Sequence, residues 1–172
     1  MLNLIAAASV SSFFFGLFGV SWETVDEKIK SEFPAVQTVS TDALLMRYGA
    51  MDDGLPLVID VREIDEFRIS HLDDSLNLES ADAIANMITQ RGLSKDTEII
   101  VYCSVGYRSA RVAADLQSLG FTHVLNLEHS LFEWANKGYP MINSSGMTDK
   151  VHPFSRAWSV LVDESLHAYP DK

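Results

Sequence analysis

The chain has one cysteine, Cys103, among its 172 residues. That scarcity excludes an intrachain disulfide and any cysteine-built metal cluster, and leaves the redox compartment open. Positive charge is also sparse: 13 Lys and Arg against 24 Asp and Glu give a formal net charge of −11. Affinity for phosphate comes from clustered Lys and Arg, so nucleic acid is not an expected partner, and an anionic membrane surface is disfavoured for the same reason. There is no internal repeat and no low-complexity tract, and a 47% hydrophobic composition suits one globular domain with a short extension.

Residues Met1 to Val20 lack charged side chains altogether and join a small-residue half to Phe13, Phe14, Phe15, Leu17 and Phe18. This segment, 1–20, reads as a signal peptide cut near Ser21 or as an uncleaved membrane anchor, which favours export or membrane attachment over a cytoplasmic location. It lacks the basic start of a signal and is at the short limit for a span, where about 20 apolar residues are needed. An apolar helix packed on the domain or on a partner is the alternative.

What is present is concentrated in Glu98 to Leu119, EIIVYCSVGYRSARVAADLQSL. Ile99, Ile100, Val101 and Tyr102 form an apolar run without alternation, as expected of a strand covered on both faces in a parallel sheet. The chain then breaks at Cys103-Ser104-Val105-Gly106-Tyr107-Arg108. Ser109 suits an N-cap, Val112, Leu116 and Leu119 share one helical face from Ala110 onward, and Gly120 closes the helix. Cys103 is therefore expected at the carboxyl end of a strand, facing a helix amino terminus. Unpaired N–H groups, the helix dipole and Arg108 favour a thiolate there, a nucleophile for sulfur, phosphorus or arsenic centres. The bland alternative is a small buried hydrophobe.

The segment VYCSVGYRSARVAADLQSLGF, with VIDVREIDEFRISHLDDSLNL upstream and VLNLEHSLFEWANKGYPM downstream, resembles a rhodanese-like (sulfurtransferase) domain. The resemblance runs from about Val39 to Met141. It implies a three-layer α/β fold with a central, mostly parallel sheet flanked by helices, which the alternation of strands and helices also indicates. It further implies Cys103 as nucleophile and Ser104 to Ser109 as the binding loop. Its activity would be transfer of a sulfane sulfur from thiosulfate or a persulfide to a thiol or cyanide, through a persulfide on Cys103. The partners are then a small sulfur-containing anion or persulfide donor and a thiol acceptor, small molecule or protein, with no cofactor and no metal. Asp60, Arg62 and Glu66 match the family's DVR…E pattern, a polar network bracing the loop, and His71 matches a family histidine read here as structural. A turn of this length is one residue short for a phosphate ester, and no second redox cysteine accompanies it, which argues against a phosphatase or an arsenate reductase. A module that carries persulfide or senses redox state without turnover remains the competing reading. Arg108 could orient an anionic donor, the favoured expectation, or fold away to pair with Glu66. Ser104 stands where some thiosulfate-specific relatives carry a cation, and this weakens thiosulfate as donor.

Around that domain, 38–142, the chain divides into 1–20, an N-terminal helix in 21–37 and a C-terminal extension, 143–172. Ser21 caps a helix whose stripe Trp22, Val25, Ile29 and Phe33 packs as a lid, stopped by Pro34. Thr38 to Ser40 is an edge strand, Thr41 to Tyr48 a helix ended by Gly49, Asp52-Asp53-Gly54 a solvated turn, and Leu57 to Arg62 a buried strand. A short strand is expected over Leu76 to Leu78, a helix over Ala81 to Arg91, a strand over Val124 to Leu127 and a helix over Leu131 to Lys137. His129 replaces a glycine common in the family and could line the pocket. In the extension, Trp158, Leu161, Val162 and Leu166 fall at helical spacing, and this piece is expected to pack outside the fold.

Overall fold

The computed structural model describes residues 19–50 and 54–170. The expectations for Met1 to Val20 fall almost wholly outside these residues, as do Asp52 and Asp53 of the expected turn. No described helix is long and apolar enough to cross a membrane.

Helices and strands alternate: α1 (Trp22–Glu32), β1 (Gln37–Val39), α2 (Thr41–Gly49), β2 (Leu57–Asp60), α3 (Ile64–Ile69), β3 (Leu76–Asn77), α4 (Ala81–Gln90), β4 (Ile99–Tyr102), α5 (Tyr107–Ser118), β5 (Val124–Leu127) and α6 (Ser130–Asn136). The five strands form one parallel sheet in the order β1-β5-β4-β2-β3. The parallel three-layer α/β architecture expected from the sequence is the one observed.

Strand β4 explains why the site lies where it does. Successive side chains of a strand point to opposite faces, so Ile100 and Tyr102 enter the core shared with α6 and β1, while Ile99, Val101 and Cys103 enter the core shared with α4 and α5. Both faces are covered, which is why the run shows no polar alternation. In an open parallel sheet, ligands bind beyond the carboxyl ends of the strands. Asp60 ends β2 and Cys103 follows β4 at that edge.

Helix α1 begins as its sequence dictates: Ser21 and Thr24 form a reciprocal capping box, and Val25 is fully buried. It packs across the start of α5, with Trp22 against the His129 ring at 4.4 Å and Phe33 against Tyr107 at 5.8 Å. The lid-like placement is thus observed.

The extension differs from expectation. After β6 (Met141–Asn143) comes β7 (Gly146–Thr148), a hairpin that straddles the boundary drawn at 142. Val151, Leu161 and Val162 are buried in the main core, so this segment belongs to the fold. No α-helix forms over Trp158 to Leu166; two short 3-10 helices, Ser159–Leu161 and Glu164–Leu166, stand there instead. The Asn136 side chain takes the place of the helical bonds, donating to the Leu161 carbonyl at 2.9 Å and accepting from the Asp163 N–H at 2.9 Å.

Candidate active site

The turn after β4 is built around a sulfur. The Gly106 N–H points at Cys103 Sγ at 3.2 Å, and the Ser109 hydroxyl donates to it at 3.5 Å. Gly106 achieves this with φ of 98°, in the region glycine enters without steric cost. A side chain there would meet Ile29, the Leu127 carbonyl and Asn126 only at ordinary contact distance, so backbone conformation, not space, requires the glycine.

Gly106, not Ser109, is the N-cap of α5. Ser109 sits in the first turn, fully buried, with its hydroxyl committed to the sulfur and not to a cap. The physical reason is that the left-handed glycine starts the helix early, which brings first-turn donors over Sγ.

Cys103 is only 1% exposed, and burial alone would push its thiol up. The Arg108 charge, the Ser109 hydroxyl and amide and the Val105 amide outweigh that burial and bring the thiol below its ordinary value. These neighbours favour the charged sulfur more than burial in an apolar core alone would.

Arg108 does not stand open to a ligand. Its Nη1 donates to Glu66 Oε2 at 2.8 Å and its Nη2 to Glu66 Oε1 at 2.7 Å, a bidentate pair. The Ser104 hydroxyl joins both, donating to Glu66 Oε1 at 3.1 Å and accepting from Arg108 Nη2 at 3.1 Å. Of the two roles expected for Arg108, pairing with Glu66 is the one observed. The buried Glu66 carboxyl would be raised by desolvation, but Arg108, then Arg62 and the Glu63 amide, hold it below the usual range.

Asp60 and Arg62 form a separate, fully buried pair. Arg62 donates through Nε to Asp60 Oδ1 at 3.0 Å and through Nη2 to Oδ2 at 2.7 Å, and its Nη2 also reaches the Ser70 carbonyl at 2.6 Å. Asn77 ties this pair to β3 by donating to the Asp60 and Arg62 carbonyls. The pair ties the end of β2 to β3 and to the Ser70 carbonyl, whereas of the three residues expected to brace the Cys103 loop it is Glu66 that bonds to Ser104 and Arg108. His71 is structural in the same sense: Nδ1 lies 2.9 Å from the Phe67 carbonyl, and the ring stacks on Phe67 at 3.7 Å.

Three expected site residues face elsewhere. Tyr107 turns its ring to α1 and donates to Glu32, and the Val105 side chain is buried in the main core. His129 contacts Asp26 at 3.1 Å and Glu133 at 3.0 Å, so both its ring nitrogens are engaged by carboxylates. Burial would lower the imidazole; the two carboxylates raise it above its ordinary value.

Two residues escaped the sequence reading. Ser130, fully buried, accepts the Cys103 N–H at 3.2 Å and donates to the Leu127 carbonyl at 2.9 Å. Beside it the Leu131 and Phe132 N–H groups take the Cys103 and Ser104 carbonyls at 3.2 and 2.9 Å, so the start of α6 clamps the loop. Asn126 donates to the Gly106 carbonyl at 3.0 Å. The signal for Ser130 was the family's glycine-rich turn: His129 and Ser130 have φ of 54° and 49°, keeping the left-handed backbone without glycine. A cleft of about 740 Å³ lies between Val20–Trp22, α6 and Val160–Leu166, and no residue of the Cys103 loop lines it. No group of His, Cys, Asp and Glu able to hold a metal occurs among the described residues.

A parallel α/β sheet with a buried cysteine just beyond its central strand, and donors converging on the sulfur, defines a cysteine-loop α/β domain. The chain belongs to the rhodanese-like domain family, whose description matches residues 48–137, just over half of it. Among curated proteins it is 28% identical over 111 residues to a sulfurtransferase of Allochromatium vinosum, covering 64% of this chain and 99% of the relative. It is 30% identical over 86 residues to YibN of Escherichia coli K12, covering 50% of this chain and 60% of that protein. Among solved structures, a thiosulfate sulfurtransferase of Pseudomonas aeruginosa superposes with a TM-score of 0.59 at 16% identity, over 81% of this chain and 26% of that one. The polysulfide-sulfur transferase of Wolinella succinogenes superposes with a TM-score of 0.56 at 19% identity, over 80% and 96%. At those identities the two structures attest the fold alone.

Proposed function

We propose that this protein is a sulfurtransferase that carries sulfane sulfur on Cys103. The observation that supports this most is the convergence of the Gly106 N–H and the Ser109 hydroxyl on a buried Sγ whose thiol is lowered. Sγ attacks the outer sulfur of thiosulfate or of a persulfide. A new S–S bond forms at Cys103, the donor's own S–S bond breaks, and its electron pair leaves on sulfite or on a thiolate. The loop donors stabilise the anionic terminal sulfur of the Cys103 persulfide. A thiol or cyanide then attacks that terminal sulfur and restores the Cys103 thiolate.

The sulfurtransferase name of the Allochromatium vinosum relative, which this chain spans almost end to end, supports the same reading. The segment Met1 to Val20 belongs to the proposal as an export or membrane-attachment signal, to be tested by fractionating cells that express the chain with and without it.

The experiment is turnover. Wild-type protein is supplied with thiosulfate or glutathione persulfide, and thiocyanate is assayed after cyanide, or a discharged thiol product after a thiol acceptor. Multiple turnovers in wild type and none in Cys103→Ser are expected. Charging without discharge to any acceptor would instead identify a persulfide-carrying or redox-sensing module.

A further inference from the structure

The C-terminal segment that joins the core also reaches the loop. After Val151, fully buried, and Pro153, also buried, Phe154 lays its ring over the Arg108 guanidinium, 4.3 Å from ring centroid to the guanidinium carbon. Phe154 adopts φ of 61°, a conformation rare for a residue with a bulky side chain, and remains 40% exposed. Burial of its own surface therefore does not account for the strained backbone. His152 holds the turn: its Nδ1 accepts the Phe154 N–H at 3.1 Å, and its ring meets Tyr169 edge-on at 5.7 Å.

The consequence falls on Arg108. Glu66 occupies the Nη1–Nη2 edge of the guanidinium, Ser104 accepts a further bond from Nη2, and Phe154 covers a face. A small dianion seeking a cation beside Cys103 meets one already neutralised by a carboxylate and fixed in place by an aromatic ring. The other arginine, Arg62, is fully buried on Asp60. An aromatic surface is, by contrast, a good neighbour for the carbon framework of an organic persulfide.

We propose that Phe154, held by His152, is a specificity-determining residue that selects organic persulfides over thiosulfate as the sulfur donor. This rests on the sulfurtransferase reading above. In the favoured step Cys103 Sγ bonds to the terminal sulfur of R–S–SH, the donor S–S bond breaks, the electron pair leaves on RS⁻, and the terminal sulfur then gives its proton to that thiolate or to water to become the anion the loop donors hold. Removing the ring uncovers the Arg108 face, so that the guanidinium can meet an incoming dianion from that side.

The test is single-turnover charging of Cys103, followed by intact mass, with thiosulfate and with glutathione persulfide for wild type, Phe154→Gly and Phe154→Tyr. Wild type is expected to charge faster from the persulfide. Phe154→Gly should shift the donor ratio toward thiosulfate by about tenfold, the scale of a lost apolar contact, chiefly through a lower half-saturating thiosulfate concentration. Phe154→Tyr should keep the wild-type ratio, and adding Arg108→Gln to Phe154→Gly should abolish the gain. Equal changes with both donors, or none, would overturn the inference while leaving the sulfurtransferase reading intact. A wild type charged by neither donor would overturn both.

Discussion

Two arginine–carboxylate pairs stand within one carboxyl edge of the sheet, and they differ in almost everything but chemistry. Arg62 and Asp60 are both 0% exposed, whereas Arg108 and Glu66 are 22% and 3% exposed. The first pair ends a strand and is tied to the Ser70 carbonyl and to Asn77. The second spans from α3 to the Cys103 loop, shares a hydroxyl with Ser104 and lies under Phe154. The comparison teaches that two guanidiniums at one sheet edge divide by burial and bonding partners into one that frames the strand ends and one whose charge acts on Cys103. Arg62 frames; Arg108 tunes.

The largest effect that would sharpen this contrast is on stability. Asp60→Leu leaves the Arg62 charge buried without its carboxylate and should cost about 3–5 kcal/mol in urea unfolding. Asp60→Leu combined with Arg62→Met should recover much of that loss, since burying neither charge is cheaper than burying one. A double variant as unstable as the single would break the contrast.

The second effect is on reactivity. Arg108→Gln removes the charge that most lowers the Cys103 thiol and leaves the burial that raises it. The midpoint of Cys103 alkylation against pH should rise by about one unit or more, which is roughly tenfold less thiolate at a pH below both midpoints. The stability cost should stay below that of Asp60→Leu.

The smallest effect is on acid stability. Glu66 has its carboxyl depressed in the fold from an unfolded value near 4.5. Its contribution is therefore fully present above that value and lost as pH falls through the lower folded value. Urea midpoints measured downward from pH 5 should fall less steeply in Glu66→Gln than in wild type. Parallel slopes would show that the pair does not couple to folding.

Much of this was legible in the sequence, for identifiable reasons. The β4 run, the Cys103 turn, the Ser21 cap and the Asp60, Arg62, Glu66 set follow from periodicity, cap chemistry and family spacing, each a local signal. What was not legible depends on contacts across long sequence distance. The choice of Arg108 between ligand and Glu66 is made by residues 42 positions apart. Ser130 reaches the Cys103 N–H across 27 positions, and nothing in its own neighbourhood marks it except the left-handed turn where glycine was expected. The tail fails for a different reason. Trp158, Leu161, Val162 and Leu166 have helical spacing, but Asn136 supplies hydrogen bonds that compete with helix formation. Apolar spacing reports which residues are buried more faithfully than it reports the backbone that buries them.

The most direct test of the central claim is the intact mass of wild type and Cys103→Ser after incubation with glutathione persulfide and removal of the donor. A gain of one sulfur atom in the wild type alone, lost again on addition of cyanide with release of thiocyanate, is the predicted result. An unchanged wild-type mass, or the same gain in Cys103→Ser, would contradict it.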